Sequence, residues 1–140
     1  MKRPTYNLAF TALIGFAGWA IPGLGHISLG HYVRGAIMLV CICGLFLSGL
    51  YIGSIGVIDP VGAQLWYAGQ MLTSPAVALI ADYTRAQGGL WPYPSYGRPF
   101  EIGQIYTSIA GALNLLCVVN AMYIAYTGKQ QPVGGGQANA

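Results

Sequence analysis

Apolar residues fall in four long blocks, separated by Gly/Pro turns and by one Tyr-rich polar stretch. The most telling block runs from Gly35 to Ile58, GAIMLVCICGLFLSGLYIGSIGVI, without a charged side chain. A helix of that length reaches across a hydrocarbon core of about 30 Å and has no polar face to offer water. The pattern predicts an all-α fold, an integral membrane helical bundle of about four transmembrane helices, over 6–21, 35–58, 64–81 and 102–126.

The breaks between blocks are as informative as the blocks. Pro22-Gly23-Leu24-Gly25 closes the first span, because proline and the glycines cannot continue a straight helix. Residues 26–34 (HISLGHYVR) then suit a loop or short helix at the membrane interface. The third segment, QLWYAGQMLTSPAVALIA, is short and polar for hydrocarbon. A kinked helix is expected there, with Thr73 and Ser74 satisfying the carbonyl that Pro75 frees. The alternative is a half-buried helix that does not cross. Trp91, Tyr93 and Tyr96 are amphipathic rings suited to the headgroup level. The last span follows Pro99, with Glu101 in its first turn at the positive end of the helix dipole. One domain over 1–129 and a low-complexity tail over 130–140 complete the organisation.

Composition narrows the class. Of 140 residues, 55% are hydrophobic and only 6% charged, against about 25% charged in ordinary soluble domains. Water is thereby excluded as the main solvent. The net charge of +3 is spread over segment ends, so no basic patch for nucleic acid exists. Lys2 and Arg3 before an apolar run resemble a signal peptide. Phe16 and Trp19 beside the possible cut at Gly18-Trp19-Ala20 are poor cleavage features, so an uncleaved anchor is expected. Lys2, Arg3 and Lys129 on one side balance Arg34, Arg85 and Arg98 on the other. Dominance of the first helix would favour cytoplasmic termini. Cys41 and Cys43 lie about 160° apart on a helix, which rules out joint metal chelation. With Cys117 they form no disulfide framework.

Few residues carry candidate chemistry. Gly25 to Tyr32 superficially echoes a phosphate loop but has His31 and Tyr32 where lysine and then serine or threonine are needed. His26 and His31 are about 140° apart on a helix, unlike a chelating pair at spacing three or four. Capping of the interface is the plainer role, and ligation of a metal or pigment the alternative. Arg34 can snorkel to lipid phosphate; with His31 and glycine N–H groups it could hold an anionic headgroup. Gly49 and Gly53 form a GxxxG pair, and Ser108 with Ala112 repeats the small-xxx-small spacing, both suited to close helix packing. Asn114 and Asn120, about 120° apart in the last span, are expected to hydrogen-bond to other helices rather than line a conduit. No Ser/His/Asp set, paired acids or HExxH is present, so an enzyme is not expected and no cofactor is implied.

The run Trp19-Ala-Ile-Pro22-Gly-Leu-Gly25-His26, continuing through Leu29-Gly30-His31 to Arg34-Gly35, resembles a family of small, uncharacterised bacterial multi-pass membrane proteins. Ala110-Gly111-Ala112-Leu113-Asn114-Leu115-Leu116, with Asn120-Ala121 and Gly128-Lys129, is similar to that family's closing helix, where aspartate often stands at the position of Asn120. The first motif is loosely similar to the two-transmembrane-helix domain. The resemblance covers roughly 15–58 and 102–129. It implies a helical protein of the bacterial inner membrane and brings no activity with it.

These features lead to the expectation of a non-enzymatic accessory or scaffold subunit of a larger membrane assembly. Its partners would be membrane lipids and other proteins, or further copies of itself, met through small-residue helix faces. The alternative is a small-molecule or lipid-handling protein that uses the His26/His31/Arg34 turn.

Overall fold

A computed structural model describes residues 8–86 and 97–127. Within them every regular element is helical: α1 (Leu8–Ala20), α2 (Leu24–Ser28), α3 (Tyr32–Gly53), a 3-10 turn (Ile55–Val57), α4 (Gln64–Met71), α5 (Ala76–Ala86) and α6 (Arg98–Thr127). The all-α expectation holds, and α3 and α6 are long and apolar enough to cross a membrane. Helix α1 is shorter, at 13 residues. Trp91, Tyr93, Tyr96, Lys2, Arg3, Lys129 and the tail over 130–140 lie outside the described residues.

Helix α6 is the axis of the molecule and packs against α1, α2, α3 and α4. It begins at Arg98, earlier than the expected 102, because Pro99 is tolerated in a first turn whose N–H groups need no intrahelical partner. Gly97, at φ +72°, turns the chain into it, and the Glu101 N–H donates to the Gly97 carbonyl at 3.2 Å. Helix α3 starts at Tyr32 and stops at Gly53 rather than running to residue 58. Ser54 takes a left-handed φ of +64°, and the 3-10 turn after it folds Val57 and Ile58 into the core. Ile58 joins the packing of Ile42, Phe46, Val77, Ala81 and Ala110 between α3, α5 and α6, and Val57 lies against Gly53 and Gly103.

The α3–α6 contact is built on glycine. A Cβ added at Gly103 would lie 2.7 Å from the Gly53 Cα and 2.8 Å from the Gly49 carbonyl oxygen. One added at Gly49 would lie 2.7 Å from Thr107 Cγ2. The expected GxxxG pair therefore meets a glycine and a threonine of the same chain, backbone against backbone. Ala112, by contrast, is exposed.

The third segment is two helices, not one kinked helix. Ser74 and Pro75 open a new helix instead of bending an old one. The Ser74 Oγ accepts from the Ala76 N–H at 3.3 Å, and Pro75, immediately ahead of the first helical residue Ala76, loses no helical hydrogen bond. Ser74 Oγ also donates to the Ala20 carbonyl at 2.8 Å, pinning the break to the end of α1.

Candidate functional site

Polar side chains gather in two places, the turn over 22–35 and the seam between the α4–α5 break and α6. At the turn, Gly23 (φ +82°) opens α2, and a Cβ there would collide with the Gly35 carbonyl. Gly30 (φ +85°) closes α2. The Gly30 N–H donates to the Ile27 carbonyl at 3.0 Å and the His31 N–H to the His26 carbonyl at 2.9 Å, the paired bonds of a Schellman ending that needs a left-handed residue. The Pro-Gly-Leu-Gly-His and Leu-Gly motifs thus encode a one-turn helix wedged against the start of α3. A Cβ on Gly25 would sit 3.1 Å from both Ala121 Cβ and the Ile14 carbonyl oxygen, so α2 is also clamped between α1 and α6.

His26 points inward and is 1% exposed. Its Nε2 donates to Asn120 Oδ1 at 3.0 Å. Burial pushes its imidazole below the ordinary value; the Asn120 bond opposes this, and the charges of Arg34 and His31 add to it. His26 is therefore a neutral strut between α2 and α6. His31 is also buried, whereas Arg34 is exposed. His31 and Arg34, with Gly30, Tyr32 and Val33, line a cavity of about 140 Å³ at the start of α3 that His26 does not line. The three candidates accordingly divide into a structural histidine and a separate His31/Arg34 rim. No group of three or more His, Cys, Asp or Glu able to hold a metal occurs among the described residues.

At the seam, the break exposes the carbonyls that end α4, and side chains from other helices meet them. Trp19 Nε1 donates to the Met71 carbonyl at 2.9 Å. Asn114 Nδ2 donates to those of Leu72 at 3.0 Å and Thr73 at 2.9 Å. Gln70, fully buried, donates through Nε2 to Thr107 Oγ1 at 2.9 Å and to the Val57 carbonyl at 3.2 Å. Ser108 Oγ donates to the Trp66 carbonyl at 3.1 Å. Gly111 admits the closest approach, since a Cβ on it would overlap the Gly69 carbonyl oxygen. Asn114 and Asn120 both reach other elements, but different ones, as their separation around α6 requires. Sequence reasoning misses Trp19 and Gln70 as parts of this network, and it assigns Ser74 to the carbonyl freed by Pro75, whereas Ser74 Oγ bonds the Ala20 carbonyl. Ser-Pro as a helix start was the signal that pointed to the break.

A third feature is apolar. A groove of about 370 Å³ lies between the end of α1, α3 and α5, walled mainly by Ile21, Leu39, Phe46, Leu47, Val77 and Ile80.

The class defined by this architecture is an all-α bundle with two helices able to cross a membrane, in which Trp19 and Asn114 bond the backbone of the α4–α5 break. The chain belongs to the Family of unknown function (DUF6677), whose model matches residues 13–131. No curated protein and no solved structure shows significant similarity to it.

Proposed function

We propose that the protein is a non-enzymatic, multi-pass protein of the bacterial inner membrane that serves as an accessory or scaffold subunit of a larger assembly. The observation that carries this reading is the division of labour between inside and outside. Inside, His26, Gln70, Asn114 and Trp19 are committed to neighbouring helices of the same chain. Outside, large apolar side chains such as Val40, Leu47, Leu116 and Val119 stand more than half exposed, more apolar surface than a soluble monomer tolerates. The groove between α1, α3 and α5 would be the natural seat for a partner's apolar helix. Native mass spectrometry of gently solubilised membranes tests the proposal. A stoichiometric protein complex is expected, and a lone monomer carrying only lipid would overturn it.

A second reading is favoured by one observation, the cavity that His31 and Arg34 share at the start of α3. There the guanidinium and the unpaired first-turn N–H groups could receive an anionic lipid headgroup. Under that reading, Arg34→Ala abolishes any preference for anionic over zwitterionic lipid in vesicles while the fold persists. Equal retention of both lipids by the unmodified protein would exclude it.

A further inference from the structure

Four buried polar atoms along the seam make no hydrogen bond to the described residues: Gln70 Oε1, Thr73 Oγ1, Gln104 Nε2 and Asn114 Oδ1. Their residues are 0 to 5% exposed, so bulk solvent does not serve them. Each such group carries a substantial desolvation penalty, and native structures answer it with a partner or an ordered water.

Two of the four atoms form a complementary pair. Asn114 Nδ2 already grips the Thr73 carbonyl at 2.9 Å, which brings the Thr73 hydroxyl, a donor, close to Asn114 Oδ1, an acceptor. The other two, Gln70 Oε1 and Gln104 Nε2, are not joined through any bond between their side chains: Thr107 Oγ1 receives the Gln70 amide at 2.9 Å but reaches only the main-chain carbonyl of Gln104. A buried donor and acceptor on contacting residues, neither with a partner, is the environment that a bridging water satisfies. A cation suits it less well, because two neutral oxygens fall short of the six or more ligands a hard cation takes.

We propose that the seam between the α4–α5 break and α6 binds a buried water that bridges Thr73 to Asn114. The broken helix is then held to α6 by a wet joint as well as by direct bonds, at a depth where the rest of the core is apolar.

The test is water-edited solid-state NMR of the full chain in lipid bilayers, read at the nitrogen-15-labelled side-chain amides. Asn114 is expected to receive water magnetisation at short mixing times. In Thr73→Val, which keeps the shape and removes the hydroxyl, the Asn114 signal falls about five- to tenfold, the effect of one lost hydrogen bond. Thr73→Ser restores the transfer. If the unmodified protein shows no transfer to Asn114 beyond that of a dry interior amide, the proposal fails, whether or not the variants fold. A shift of Asn114 on exchanging sodium for choline would also overturn it, in favour of a bound cation.

Discussion

Gly103→Ala is the sharpest probe of how this bundle is held. The added methyl would lie 2.7 Å from the Gly53 Cα, 2.8 Å from the Gly49 carbonyl oxygen and 2.9 Å from Val57 Cγ2, whereas ordinary contacts begin at 3.4 Å. Two of the three obstacles are backbone, so no side chain can swing aside. The helices must part by roughly 0.6–0.7 Å, a gap that forfeits a quarter to a half of each contact's dispersion energy along the seam. Overpacking of this kind costs about 1–3 kcal/mol. Gly44→Ala is the matched control on α3, because a methyl there meets nothing within 4 Å. It should be neutral or should stabilise by about 0.5–1 kcal/mol through helix propensity. Reversible unfolding in mixed micelles, followed by circular dichroism, measures both. Equal effects for the two variants would refute the glycine seam, as would a Gly103→Ala protein as stable as the unmodified one.

Three further outcomes follow from the geometry. Asn114→Ala strands the Leu72 and Thr73 carbonyls and should destabilise by about 1–3 kcal/mol; amide exchange should rise first over 70–77, and uniform exchange would contradict this. Gly23→Ala adds a backbone collision with Gly35 to a left-handed φ, whereas Gly30→Ala has the φ alone; the second should cost about 1–2 kcal/mol and the first more, as melting of the two variants would show. His26 has its imidazole pulled below the ordinary value of 6.5, so the folded state prefers it neutral. Its contribution is complete above about pH 6.5 and is lost as pH falls through the lowered value. His26→Asn should flatten that acid limb of the stability profile, and an unchanged limb would assign the proton elsewhere.

The long elements were legible because twenty or more apolar residues have few alternatives to a helix. The turn was legible as well: Pro22, Gly23, Gly25 and Gly30 mark chain reversals that only such residues make, although spacing alone did not reveal that His26 lies inside and Arg34 outside. The third segment was misjudged for a physical reason. Ser74-Pro75 satisfies two rules at once, a tolerated kink within a helix or the opening of a new one. The choice depends on whether Trp19 and Asn114, far away in sequence, arrive to serve the freed carbonyls. Ser54's left-handed φ likewise answers to the burial of Val57 and Ile58 and leaves no mark in local composition.

Spin labels placed singly at Val40 and Leu47 on α3 and at Leu116 and Val119 on α6, in lipid nanodiscs, report whether these exposed side chains face acyl chains or water. A lipid-solvated bundle gives high collision rates with molecular oxygen and low rates with a water-soluble nickel chelate at all four sites. High nickel accessibility at these positions, with oxygen accessibility no greater than in buffer, would mean that α3 and α6 do not cross the bilayer.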